Sequence, residues 1–163
     1  MTATDLGRFP LFHGLDAEQL RALGAVLHSA RAAAGQDIVV EGAPGGSLFV
    51  LVEGSVETTK HFGVLGADQA PRQKVLVRLS APQFFGEIAL LEETPRSATV
   101  RAATACELLE LRREDFEGLV AADVRLGYLL MRNIASSIIG RLRGADRDIL
   151  KLTAALSMAL GNH

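Results

Sequence analysis

The stretch FGEIALLEETPRSATVRA, residues 85–102, changes from one secondary-structure pattern to another. An apolar run opens it, Pro95 ends that run, and the polar–apolar alternation of a β-strand follows. Close to this break the chain carries a conformationally permissive residue, a carboxylate and a guanidinium, which are Gly86, Glu87 and Arg96. Such a group beside a strand–turn junction points to a small polar ligand.

Each of these residues suits one part of such a ligand. Gly86 lets the backbone approach closely, and N–H groups at the start of the turn Ile88–Leu91 lack helical partners and favour an anion. The planar fork of Arg96 matches phosphate oxygens, whereas Glu87 suits a sugar hydroxyl, and Ser97 adds a small donor. A ligand with one phosphate, a ribose hydroxyl and an apolar base fits all of them. The alternative is a surface Glu87–Arg96 ion pair on a tight turn.

Composition describes a soluble globular protein of one ordinary domain. The 163 residues are 48% hydrophobic and 22% charged, and the net charge of -2 gives no general attraction to nucleic acid or anionic lipid. Cys106 is the single cysteine, which excludes an intramolecular disulfide and a cysteine-rich metal site. The N-terminus lacks signal-peptide character, and no apolar run reaches about 18 residues. We therefore expect a cytoplasmic protein of bacterial type without a membrane span.

The middle of the chain reads as a β-structure that follows a helix. Residues 16–30 carry apolar side chains at helical spacing behind a plausible N-cap, Asp16. Short β-rich runs with glycine-bearing turns then fill residues 31–112, which predicts an antiparallel barrel or jelly roll. The runs are DIVVEG, SLFVLVEG, SVETTKHF, QKVLVRLS, SATVRA and CELLELR. Residues 63–73 read as a longer hairpin loop.

The C-terminal part returns to helix. We expect a short helix from 113 to about 122 and a long one from about 125 to 160, which has no proline. The fold class is thus α+β, a β-roll with flanking helices. It is divided into residues 1–124, which form the β-roll with its N-terminal and short hinge helices, and residues 125–163, which form a lid or dimerisation helix.

The long helix carries a coiled-coil pattern in its second half. Its apolar residues are spaced alternately three and four apart, and Gly140 and Gly144 permit close approach of another backbone. This pattern predicts a homodimer seam, although the same face could instead pack on its own domain. The seam residues are Leu142, Ala145, Ile149, Leu152, Leu156 and Ala159.

The order of the motifs carries a resemblance. FGEIALL followed by PRSATV closely resembles the phosphate-binding cassette of the cyclic nucleotide-binding domain family, which includes the sensor domain of catabolite activator-type proteins. IVVEGAPGGSLFVLVEGSV upstream and RAATACELLEL downstream resemble the same family, so that the likeness covers about residues 10–160. It implies a β-roll that holds cyclic AMP or cyclic GMP.

The resemblance also implies roles for individual residues. Arg96 would pair with the cyclic phosphate, while Glu87 and the backbone of Gly86 would hold the ribose 2′-hydroxyl. Further contacts implied by it come from Ile88, Ala89, Ser97 and Ala98 around the phosphate and from Leu76 and Leu79 beside the base.

The choice of base depends on the long helix, which in this family often reaches over the base. The corresponding positions here are Ala145 and Asp146, where the catabolite activator has hydroxyl residues. Asp146 is able to accept hydrogen bonds from guanine or from the adenine amine, or it faces water. Ser97 does not decide between the bases. Cyclic AMP is favoured, with a cyclic GMP-selective sensor as the alternative.

The expected output is regulation through movement of the C-terminal helix toward an unknown effector protein. Because the sequence ends at residue 163 without a helix-turn-helix pattern, we expect no direct DNA binding. No clustered metal ligands or nucleophile–base pair indicate an enzyme or a cofactor. Alternatives are a degenerate dimerisation or docking module, a haem sensor, or a long helix whose six basic and two acidic side chains bind nucleic acid or acidic protein.

Overall fold

The computed structural model describes residues 3–62 and 72–160. The N-terminal helices are α1 (Ala3–Leu6), a 3₁₀ turn (Pro10–Phe12) and α2 (Ala17–Val26). The strands and the short helix among them are β1 (His28–Ala32), β2 (Asp37–Val39), β3 (Ser47–Glu53), β4 (Ser55–Phe62), β5 (Arg72–Ser80), β6 (Gln83–Phe85), α3 (Glu87–Leu91), β7 (Thr99–Ala102) and β8 (Cys106–Arg112). Helices α4 (Arg113–Ala122) and α5 (Val124–Leu160) follow. Most of the predicted 63–73 loop lies outside the described residues, and β5 takes its last two.

The strands form two four-stranded antiparallel sheets, in the orders β1-β8-β3-β6 and β2-β7-β4-β5. The predicted α+β fold with a β-roll is thereby confirmed. Between β4 and β5 the register shifts, since Thr58 pairs with Val77 and Thr59 with Val75. Leu76 is thus the extra residue of a β-bulge, which displaces it from the regular alternation.

Two hydrophobic cores share the strands of the first sheet. Along β3, Leu48 and Val50 pack toward the helices, whereas Phe49 and Leu51 pack between the two sheets. This alternation explains why the run SLFVLVE is buried on both faces. The ring of Phe49 stacks on Phe85 at a centroid distance of 5.5 Å, which joins β3 to the strand before α3.

Helix α2 confirms the predicted N-cap but is shorter than its sequence pattern. The Asp16 carboxylate accepts hydrogen bonds from the backbone N–H groups of Glu18 and Gln19. The helix ends at Val26 rather than near residue 30, because residues 28–32 pair with β8 as strand β1. Helix α4 matches the predicted bounds, and α5 begins one residue earlier than predicted.

Helix α5 is anchored in its first part and exposed in its second. Leu126, Leu130 and Ile134 are almost fully buried against the helical core. The Asn133 side chain donates to the backbone carbonyls of Leu11 (2.8 Å) and His13 (2.9 Å), which fastens the helix to the N-terminal segment. From Ile138 to Met158 the large apolar side chains of α5 are exposed, so this part of the helix extends away from the core of its own chain.

Candidate functional site

A pocket opens where β6, α3 and residues 95–98 meet the second sheet. Its cavity volume is about 160 Å³. Its lining divides into an apolar wall and a polar end. The apolar wall contains Val39, Val77, Leu79, Phe85 and Val100, and the remaining lining residues are Thr58, Gly86, Glu87, Ile88, Ala89, Pro95, Arg96, Ser97, Ala98 and Arg141.

Gly86 is required by both backbone and space. It lies at φ +82° immediately before α3, a left-handed conformation that disfavours other residues. A Cβ at this position would lie 3.0 Å from Nη1 of Arg96 and 3.1 Å from the carbonyl oxygen of Ser47. The glycine therefore lets the start of α3 pack directly on the guanidinium that faces the pocket.

Arg96 is held rigidly by strand β3. Its Nη1 donates to the Ser47 carbonyl at 2.7 Å, its Nη2 donates to Ser47 Oγ at 2.9 Å, and the guanidinium lies 5.8 Å from the centre of the Phe49 ring. Burial lowers the pKa of Arg96 from its ordinary value, and the charge of Glu110 opposes that effect. Because an arginine starts from so high a pKa, the group stays cationic and offers a fixed positive charge to an anion.

Glu87 pairs with a residue that the sequence analysis did not identify. Its carboxylate Oε1 accepts a hydrogen bond from Arg141 Nη1 at 2.6 Å, and its side chain is only 9% exposed. Arg141 Nη2 donates to the Phe84 carbonyl at 2.5 Å, and the guanidinium lies 5.4 Å from the centre of the Phe84 ring. The surface Glu87–Arg96 ion pair considered as an alternative is therefore not what the structure contains. Helix α5 instead reaches the pocket through Arg141.

Eight of the ten residues predicted for the site line this pocket, and two do not. Leu76 is 46% exposed and absent from the lining, because alternation along β5 places Val77, and not Leu76, on the same face as Leu79. Asp146 is exposed and lies outside the pocket, one turn of α5 beyond Arg141, as does its neighbour Ala145. In this arrangement α5 contacts the pocket at 141 rather than at 145–146.

The described parts of the chain contain neither a metal-ligand cluster nor a membrane-spanning helix. Within residues 3–62 and 72–160, no three histidine, cysteine, aspartate or glutamate side chains come together to hold a metal ion. Over the same residues, no helix is both long and apolar enough to cross a membrane.

Known proteins show similarity over most of the chain. The model of a family described as "Cyclic nucleotide-binding domain" matches residues 30–123. Glutaminase 1 of Bradyrhizobium diazoefficiens is 36% identical over 151 residues, which are 93% of this chain and 23% of that protein. The cyclic AMP receptor protein of Thermus thermophilus is 32% identical over 141 residues, which are 86% of this chain and 60% of that protein.

A solved structure extends this likeness to three dimensions. The regulatory domain of Toxoplasma gondii PKA, co-crystallised with cAMP, has a TM-score of 0.67 at 29% identity and covers 83% of this chain and 49% of that one. The chain spans 23% of the glutaminase and 60% of the receptor protein.

Proposed function

The chain belongs to the cyclic nucleotide-binding domain family, and on this premise we propose that it is a regulatory sensor that binds cyclic AMP and signals through its C-terminal helix. A regulatory role with a cyclic nucleotide as ligand follows from the family and its members. Cyclic AMP is the specific proposal, supported by the name of the Thermus relative and by the ligand of the Toxoplasma structure.

The observation that carries the proposal is the polar end of the pocket. Arg96 presents a cation held by Ser47, Gly86 gives the backbone access, and Glu87 supplies a carboxylate acceptor in the lining of the same pocket. A cyclic phosphate beside Arg96 and a ribose hydroxyl beside Glu87 satisfy these groups, and the apolar wall then receives the base. Main-chain N–H groups of Ile88, Ala89 and Ala98, with the Ser97 hydroxyl, complete the phosphate contacts in this proposal.

Signalling is proposed to pass through the Glu87–Arg141 contact. Glu87 belongs to the pocket and Arg141 to α5, so a ribose hydroxyl that shares the Glu87 carboxylate changes the position preferred by the helix. A ligand moves such an equilibrium only by as much as it binds one helix position better than the other. The ion pair is where that difference in affinity arises.

A homodimer is proposed through the exposed half of α5. Leu142, Ile149, Leu152 and Leu156 are 59–69% exposed and follow the alternating spacing of three and four residues. The alternative, that this face packs on its own domain, does not match the described residues, in which these side chains remain exposed. A second copy of the chain offers the same seam, which is what a coiled coil buries.

The test is calorimetric titration of the purified, nucleotide-free protein with cyclic AMP and, separately, with cyclic GMP. We expect binding of cyclic AMP and a lower affinity for cyclic GMP. The Arg96→Ala variant is expected to lose about 2–5 kcal/mol of binding free energy, because the phosphate loses its charged partner. Absence of binding by both nucleotides would favour the degenerate docking module. Tighter binding of cyclic GMP than of cyclic AMP would show that the proposed base preference is wrong.

A further inference from the structure

Arg113, the first residue of α4, makes contacts that the pocket itself does not explain. Its side chain is 18% exposed, and its Nη2 donates to two backbone carbonyls at the end of α3, those of Ala89 (2.7 Å) and Glu92 (2.5 Å). Its Nη1 lies 3.2 Å from Oε1 of Glu93, whose side chain is 90% exposed. Since an ion pair so exposed contributes little, the carbonyl contacts define the role of this guanidinium.

These contacts lie at the end of α3 opposite Gly86. A helix of five residues has few internal hydrogen bonds and leaves its last carbonyls without helical partners. A cation that donates to one carbonyl of α3 and to that of its C-cap residue therefore fixes the orientation of the helix. The Nε atom of Arg113 is buried and has no hydrogen-bond partner within the described residues. Burial of an unsatisfied donor costs free energy, so the side chain is held in place by its two carbonyl contacts despite that cost.

The backbone of Arg113 fixes the other wall of the same region. Its N–H donates to the Gly46 carbonyl at 2.7 Å, immediately before Ser47, which holds Arg96. The neighbouring Gly45 lies so close to α3 that a Cβ there would clash with the Cβ of Ala89. One residue thus connects α3 and the loop before β3, the two segments between which the Arg96 guanidinium lies.

We propose that Arg113 is a positioning residue that sets the distance between α3 and Arg96, and thereby the shape of the phosphate-binding end of the pocket. The proposal rests on the proposed function, since that function assigns the phosphate to this end. Arg113 lines no part of the pocket and acts through the backbone of α3. Because it begins α4, it also makes the position of α3 depend on the helix that leads into α5.

The test of this positioning role compares three variants, Arg113→Ala, Arg113→Lys and Arg31→Ala. Arg31 pairs with Glu107 at 3.1 Å on the first sheet, is 83% exposed and lies outside the pocket, so it controls for the loss of an arginine ion pair. We expect Arg113→Ala to weaken cyclic AMP binding by about ten-fold or more, as for loss of charge-assisted hydrogen bonds. Arg113→Lys should stay within about three-fold of the wild type, because both carbonyls accept from one nitrogen and an ammonium donates to both. Arg31→Ala should bind as the wild type does.

Hydrogen exchange of the ligand-free variants separates positioning from a general loss of stability. Arg113→Ala is expected to accelerate exchange of the amides of residues 88–92 while those of β3 and β8 keep their protection. Wild-type affinity in Arg113→Ala, or equal loss of protection in α3, β3 and β8, would overturn the proposal. If the wild-type protein binds neither nucleotide, the proposed function is wrong, and the exchange of α3 alone then supports or refutes the positioning role.

Discussion

The carboxylate of Glu87 and the guanidinium of Arg141 are 54 residues apart in sequence and 2.6 Å apart in the structure. Glu87 belongs to the short helix at the floor of the pocket, and Arg141 belongs to the helix that extends away from the domain. A pocket residue and a residue of the proposed output helix are therefore in direct contact. Removal of Arg141 tests this connection directly.

Arg141→Ala should uncouple the helix from the pocket. In the wild type, cyclic AMP is expected to change hydrogen exchange in residues 135–145, because the ligand shares Glu87 with Arg141. Without the guanidinium, that ligand-dependent change should disappear. Arg143→Ala, which removes an exposed arginine two residues away, serves as the control. A ligand response in α5 that survives in Arg141→Ala would show that coupling takes another route.

Glu87→Gln should reduce both affinity and recognition of the ribose. The amide keeps the shape of the side chain but loses the charge that accepts from a hydroxyl, at a cost of about 1.5–3 kcal/mol for such a hydrogen bond. Calorimetry with cyclic AMP and its 2′-deoxy analogue gives the ratio of the two affinities, which should fall toward one. An unchanged ratio would mean that Glu87 does not read the ribose.

Gly86→Ala should impair nucleotide binding beyond its effect on stability, and Gly35→Ala provides the comparison. Both glycines have φ near +80°, so alanine costs each about 1–2 kcal/mol of unfolding free energy. A Cβ at Gly35 meets nothing within 4 Å, whereas one at Gly86 approaches Arg96. Thermal denaturation should show a larger loss for Gly86→Ala, because its Cβ also crowds the Ser47 carbonyl, and only Gly86→Ala should lose cyclic AMP affinity. Equal affinities of the Gly86→Ala and Gly35→Ala variants for cyclic AMP would show that the close packing of Gly86 on Arg96 is not needed for binding.

Leu152→Asp should dissociate the proposed dimer, while Leu150→Asp should leave it intact. Both leucines are 69% exposed, but only Leu152 lies on the seam, so the pair separates position from hydrophobicity. Sedimentation equilibrium of the two variants measures the difference. A dimer that persists in Leu152→Asp, or a monomeric wild type, would contradict the seam.

Asp146→Ala should leave the ratio of cyclic AMP to cyclic GMP affinity unchanged. The carboxylate is exposed and outside the pocket lining, so in this arrangement no base reaches it. A shifted ratio, measured by competition between the two nucleotides, would show that α5 closes over the base when ligand binds.

The local parts of the fold were predictable, because they depend on neighbouring residues. The short β-rich runs SLFVLVE and CELLELR indicated the central strands β3 and β8, and the cassette placed Gly86, Glu87 and Arg96 together. Strand β6 escaped prediction because three residues are too few to show an alternation. Strand β1, HSARA, is mostly exposed and exists through its pairing with β8, which no local pattern shows.

Long-range contacts account for the errors within the site. Arg141 resembles any other arginine of a basic helix until the fold brings it to Glu87. The same reason explains why two supporting contacts were not predicted, that of Ser47 with Arg96 and that of Arg113 with α3. Ser47 is 49 residues from Arg96, and Arg113 is 24 and 21 residues from Ala89 and Glu92. The error at Leu76 has a local cause instead, since side chains two apart in a strand share a face and Val77 is the neighbour of Leu79 on the pocket side.

The attachment of Asn133 to the N-terminal segment gives α5 the geometry of a lever. At about 1.5 Å per residue, Arg141 lies roughly 12 Å from this fulcrum and Leu160 roughly 40 Å from it. A tilt that moves Arg141 by 1 Å, about the scale of exchanging one hydrogen-bond partner, therefore sweeps the far end of the helix through about 3 Å. Amplification thus requires no flexible joint within the β-roll, only a stiff arm that is held near one end and touched close to its support.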